Sequence, residues 1–171
     1  MVLAAGLYLV ATTSVQAVHV VGSSMYPTLD SGDLLIASKI DYRLHPPERG
    51  DIVILKDPMD SSRDFIKRVI GLPGDRVLIR TGRVLINGVP LDEPYLAPGW
   101  RGTWQTTEAP EGSVVPPNNY FVLGDNRDHS SDSRLFGWVS RDQIDGKAIA
   151  RFWPAQKAEV LSLKPTFAKE P

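Results

Sequence analysis

Phe65-Ile66-Lys67-Arg68-Val69-Ile70-Gly71-Leu72-Pro73-Gly74-Asp75 decides how this chain is read. Its first half is β-branched and aromatic, and period-2 alternation puts Lys67 on one sheet face with Phe65 and Val69. It ends in Leu72-Pro73-Gly74-Asp75, where Pro at the second and Gly at the third position specify a type II turn. Outward from this strand the same grammar repeats. Residues 77–80 and 83–86 flank Thr81-Gly82 as a hairpin, and Asn87-Gly88 marks a second tight turn. Upstream, residues 34–37 and 52–55 read as short strands; downstream, so do 120–123 and 147–153. Ser140 with Gln143 fits a capping box and one short helical turn. The expected fold is mainly β, an antiparallel sheet domain with few short helices.

Composition narrows the function classes. The 171 residues fit one domain with room for a core. Nineteen Lys+Arg nearly balance 20 Asp+Glu, and no basic stripe offers a nucleic-acid partner its clustered positive charge. With no cysteine, thiol catalysis, thiolate metal sites and disulfides are excluded. No motif calls for a cofactor.

The N-terminal residues differ from the rest. No Asp, Glu, Lys or Arg occurs before Asp30, and residues 2–11 are strongly apolar. About 20 residues suffice to span a bilayer as a helix, so residues 1–21 are expected to form an N-terminal transmembrane anchor. A cleaved secretory leader and a buried apolar segment are the alternatives; the leader lacks a basic flank. Residues 22–154 are assigned to the β-rich domain, with an irregular excursion over 97–119. Residues 155–171 are assigned to a loosely held tail.

Chemistry enters through Lys67 and Ser24. A lysine on a strand has ordinary explanations: an exposed edge, a snorkelling head group or an ion pair. A free lysine, with a pKa of about 10.4, is neutral in roughly one of several thousand molecules at pH 7. Burial among Phe65, Ile66, Val69 and Ile70 would lower that pKa and make the amine a usable base. The stretch Gly22-Ser23-Ser24-Met25-Tyr26-Pro27-Thr28-Leu29 sets a hydroxyl where the apolar run ends and the domain begins. A serine hydroxyl is a poor nucleophile until a base takes its proton. The other candidate bases are His19 in the apolar lead-in, His45 in a Pro-rich loop and His129 in the polar loop that follows residue 123.

Four segments together resemble the boxes of type I signal peptidases. They are Gly22 to Leu29, Arg49-Gly50-Asp51-Ile52-Val53, Phe65 to Asp75, and Gly124-Asp125-Asn126-Arg127 with Ser130, Asp132, Ser133 and Arg134. They occur in the family's order and span most of the chain. The resemblance implies a signal-peptidase-like antiparallel β-sheet catalytic domain on a membrane anchor. Its activity would be endoproteolysis of signal peptides after a small-x-small site such as Ala-x-Ala. Ser24 would be the nucleophile and Lys67 the general base. Ser130 would hydrogen-bond the Lys67 amine, Asp132 and Arg134 would pair, and Asp125 would lend support through Arg68. Val20, Met25, Leu29, Phe65 and Ile66 would wall the substrate pockets. Ser24 N–H would donate to the oxyanion. Gly22 stands where some members carry a second hydroxyl donor, so that role is unassigned. No metal or cofactor is implied. The partners would be preprotein signal peptides and the lipid membrane, and the protein would be a monomer. It would cross the cytoplasmic membrane once, with the domain on the extracytoplasmic side.

Rival readings remain at the level of sequence. Asp128, Ser130 and Asp132 alternate as calcium ligands do, but Ser133 stands where an EF-hand needs Gly and Val139 where it needs Glu. Another Ser-Lys protease with a regulatory substrate, a non-catalytic membrane-anchored binding protein, and a Ser-His pair through His129 are the others.

Overall fold

The computed structural model describes residues 14–100 and 114–167. The first part of the expected anchor, the middle of the 97–119 excursion and the last four residues lie outside the described residues. Among the described residues no helix is long and apolar enough to cross a membrane.

Two antiparallel sheets carry the fold. The larger follows the order β1 (Val15–His19), β2 (Leu34–Ser38), β10 (Ile144–Trp153), β3 (Ile52–Asp57), β4 (Asp60–Gly71), β8 (Asn119–Leu123) and β9 (Val139–Ser140), with β11 (Glu159–Val160) on β10. The smaller runs β12 (Thr166–Phe167), β7 (Val89–Asp92), β6 (Arg83–Ile86), β5 (Val77–Arg80). The helices that lie wholly within the described residues are two single turns, α1 (Asp41–Leu44) and α2 (Ser133–Phe136), with short 3-10 turns beside them. The expected strands and the mainly β class are therefore present.

Local chemistry explains the turns. Gly74 takes φ +89, and Asp75 N–H closes the type II turn onto Leu72 O at 2.9 Å. Both Thr81-Gly82 and Asn87-Gly88 have two successive positive φ values, as a type I′ hairpin turn requires. Gln143 reaches back to Ser140 N–H at 2.9 Å, completing that half of the capping box.

Three assignments differ from the sequence reading. Residues 15–19, given to the anchor, form β1, paired with β2 from Val15↔Ser38 to His19↔Leu34. The stretch Asp57-Pro58-Met59-Asp60-Ser61-Ser62, whose proline and serines read in sequence as a loop, is a tight hairpin, because β4 begins at Asp60 and runs 12 residues. The described part of the C-terminal segment is not loose: β11 pairs with β10 and β12 pairs with β7, so residues 159–167 strap both sheets. Gly50 makes room for this strap, since a Cβ there would lie 2.7 Å from Pro165 and 2.8 Å from Lys164.

Apolar burial supplies the driving force. One cluster under the small sheet contains Ile79, Val84, Ile86, Phe121 and Leu123; a second joins Val20, Met25, Leu29, Leu35 and Ile54; a third gathers Val53, Leu55, Val69 and Val122. Between them stands Arg68, 1% exposed. Its guanidinium donates twice to Asp125, at 2.8 and 2.6 Å, and also to Gly50 O and Leu163 O at 2.9 and 2.7 Å. It also lies 3.8 Å from the Tyr95 ring centroid.

Removing one partner of a buried, fully bonded pair strands the other charge. Arg68→Met is therefore expected to cost about 3–5 kcal/mol in denaturant unfolding, and Arg68→Met with Asp125→Leu to regain a large part of that. A double variant as unstable as the sum of the two singles would show that the pair is not coupled.

Candidate active site

Lys67 lies near the C-terminal end of β4, flanked by Ile66 and Arg68, and is only 2% exposed. Its amine donates to Ser24 Oγ at 3.0 Å and to Ile66 O at 3.0 Å, and sits 4.7 Å from the Phe65 ring centroid. Burial lowers its pKa from 10.5 to about 8; Arg134 pushes the same way, against the pull of Asp132, Asp57 and Asp125. Loss of solvation is the largest cause, as the sequence reading required. A neutral amine in contact with a hydroxyl can accept that hydroxyl's proton.

Ser24 lies in the turn after β1. Met25 and Leu29 anchor that turn in the core, at 2% and 0% exposure. The segment after β8 holds its other side. Asn126 N–H donates to Ser24 O at 3.0 Å, and Asn126 Nδ2 to Ser23 O at 3.0 Å. Thr28 Oγ1 donates to Asp125 Oδ2, tying the serine turn to the Arg68 pair. Gly124 permits the close approach: a Cβ there would fall 2.2 Å from Ser130 Oγ and 2.4 Å from Ser24 O.

Buried charge fixes the polar loop. Asp132 and Arg134 form a two-point pair at 2.6 and 2.9 Å, and Asp132 also accepts from Gly124 N–H at 3.0 Å and caps α2. Arg134 donates to Arg127 O at 2.6 Å. Arg127 pairs with Glu93, which also accepts from Tyr95 O–H at 2.7 Å. Sequence reading missed Glu93 and Tyr95, and it gave Thr28 and Asn126, both inside the quoted boxes, no role of their own. None carries a periodic or spacing signal, because each is brought in by tertiary packing.

Not every expected site residue takes its expected place. Ser130 Oγ is buried with no hydrogen-bond partner among the described residues, instead of donating to or accepting from the Lys67 amine. Leu29 belongs to the core with Leu35 and Ile54 and does not line the cleft. Val20, Met25, Phe65 and Ile66 do line it, together with Ser24 and Lys67. The cleft holds about 690 Å³ and is walled by β1 on one side, by β4 on another, and by the 129–136 segment. β1 ends the large sheet, so one of its edges is left open among the described residues. His129 reaches the same cleft but is exposed, and its ring makes no hydrogen bond among the described residues. Among the described residues no cluster of three His, Asp or Glu is placed to hold a metal.

Comparison with known proteins agrees with this geometry. The family model for signal peptidase, peptidase S26, matches residues 1–153. Signal peptidase I of Leptolyngbya laminosa is 43% identical over 159 residues, covering 89% of this chain and 75% of the relative. Signal peptidase I of Bacillus caldolyticus is 44% identical over 141 residues, covering 78% of this chain and 76% of the relative. The crystal structure of a signal peptidase I from Enterococcus faecalis V583 superposes with a TM-score of 0.52 at 38% identity, over 59% of this chain and 95% of that one. A buried amine beside a serine hydroxyl, at the end of an open strand edge, is thus found in a chain that belongs to the signal peptidase family, peptidase S26, a family of serine-protease hydrolases.

Proposed function

We propose that the protein is a membrane-bound serine endopeptidase that removes N-terminal signal peptides from exported preproteins, with Ser24 as nucleophile and Lys67 as general base. The observation that carries this reading is the 3.0 Å contact between a desolvated Lys67 amine and Ser24 Oγ. Neutral Lys67 takes the Ser24 proton as Oγ attacks the scissile carbonyl carbon. The ammonium then returns that proton to the leaving amine as the C–N bond breaks. Water attacks the acyl-enzyme, Lys67 takes its proton, and Ser24 recovers it as the acid product leaves. Ser24 N–H donates to the oxyanion in both tetrahedral states.

Substrate choice follows from the cleft. An extended peptide adds as a strand to the free edge of β1, and its main chain supplies the hydrogen bonds. Alternate side chains then meet the shallow apolar wall of Val20, Met25, Phe65 and Ile66, which favours small residues one and three before the cut. The Arg68–Asp125 and Asp132–Arg134 pairs hold the wall behind the amine. The same reading expects a membrane anchor in the apolar residues ahead of β1 and the domain at the extracytoplasmic surface where signal peptides emerge.

Cleavage of a preprotein with an Ala-x-Ala site, mapped by mass spectrometry, tests the assignment. Ser24→Ala and Lys67→Ala are each expected to lose roughly three orders of magnitude or more in kcat. Near-normal activity in Lys67→Ala would move the base to His129. The pH profile of kcat/KM should rise through a midpoint of about 8, because only neutral Lys67 can accept the proton. A profile flat from pH 6 to 9 would count against a lysine base.

Stability follows the same group. The unfolded chain keeps this lysine protonated up to about 10.5, the folded one only up to about 8, so stability attributable to Lys67 is complete above 10.5 and lost as pH falls to 8. The shift corresponds to roughly 3 kcal/mol. Lys67→Met should therefore be inactive yet more stable than wild type at pH 7, and that gain should vanish above pH 10.

A further inference from the structure

A backbone N–H stabilises an oxyanion well only if its peptide plane is held before the reaction begins. In a trans peptide the N–H and the preceding C=O point in opposite directions. Whatever grips the Ser23 carbonyl therefore aims the Ser24 N–H. That carbonyl accepts two hydrogen bonds, from Tyr26 N–H at 3.1 Å and from Asn126 Nδ2 at 3.0 Å. The next carbonyl, Ser24 O, accepts from the Asn126 backbone N–H at 3.0 Å. One residue from a distant loop thus holds two successive carbonyls around the nucleophile. The Ser24 N–H, by contrast, donates to no group among the described residues.

Asn126 is itself rigidly mounted. The residue before it, Asp125, is locked to Arg68, and the residue after it, Arg127, is buried with Glu93 and donates to Gly124 O at 3.1 Å. Its own carbonyl accepts from His129 N–H at 3.0 Å. The amide is therefore presented from a segment fixed on both sides by buried ion pairs.

We propose that Asn126 is a positioning residue whose side-chain amide fixes the Ser23–Ser24 peptide plane, so that Ser24 N–H meets the oxyanion formed when Ser24 Oγ attacks. This rests on the reading of Ser24 as nucleophile. Without the side chain, Tyr26 N–H still holds Ser23 O and the residue-126 backbone still holds Ser24 O, so the turn keeps its shape while the plane loosens. An Asn126→Asp variant keeps the size of the side chain but turns a donor toward Ser23 O into a repelling acceptor.

The test uses the full chain in detergent, with kcat counted per active site titrated by a covalent serine inhibitor, so that unfolded molecules drop out. Asn126→Ala is expected to lower kcat about 10- to 100-fold, with KM within about twofold. Asn126→Asp should fall at least as far. The rising limb of the pH profile should stay at about 8, because Lys67 is untouched. A peptide boronate, which forms a tetrahedral adduct on the serine, should lose affinity by the same factor as kcat/KM, while an uncleavable substrate analogue should bind as before. A kcat within twofold of wild type, a change confined to KM, or an unaltered boronate affinity would each overturn the proposal and leave the Ser24–Lys67 reading standing. A Ser24→Ala variant as active as wild type would overturn that reading itself, and this proposal with it.

Discussion

A guanidinium that cannot reach water dictates how this domain is assembled. Arg68 is 1% exposed, and its charge is tolerable only because a carboxylate, two carbonyls and an aromatic face surround it. Those partners come from the loop before β3, the segment after β7, the segment after β8 and the C-terminal strap. Each must be in place to satisfy the others. Lys67 is its neighbour on β4, and adjacent strand residues face opposite ways. One dipeptide therefore sends a charged group into the ionic centre and an amine into the cleft. A slip of one residue in β4 would exchange them, and both would be wrongly solvated.

The buried cations around the cleft are treated in opposite ways. Arg68 and Arg134 have carboxylates in two-point contact. Among the described residues Lys67 has no carboxylate within bonding distance, only Ser24 Oγ and a carbonyl, and burial depresses its pKa. The distant acids Asp132, Asp57 and Asp125 pull against this but do not outweigh desolvation. The polar loop thus keeps its negative charge occupied with arginines, which leaves the lysine free to lose its proton near neutral pH.

Much of this was legible in the sequence. The strands and turns were, because Pro73, Gly74, Asn87 and Gly88 state their backbone angles locally. Lys67 and Ser24 were singled out through the resemblance of their segments to the family's boxes, since a strand lysine and a turn serine each have ordinary explanations alone. The Arg68–Asp125 and Asp132–Arg134 pairs followed from the same boxes. What stayed hidden is non-local. Residues 15–19 look apolar enough to continue an anchor, yet Gln16 and His19 interrupt them, and only the register with β2 reveals a strand. Leu29 and Met25 have the same character in sequence, but one is core alone and the other also lines the cleft. The strap at residues 159–167 has no alternating pattern, since its pairs are short and its value lies in what it touches.

That strap also imposes an order on biogenesis. The latest of Arg68's acceptors in the chain is Leu163 O, 95 residues downstream. A nascent chain emerging from the ribosome can form β4 and the serine turn long before this acceptor exists. Until it does, the Arg68 guanidinium on β4 lacks one of its partners, and the cleft wall lacks part of its backing. The strap, made after the other partners, therefore completes the support of the site, and a chain cut short before Leu163 would carry both Ser24 and Lys67 without the full frame that holds them.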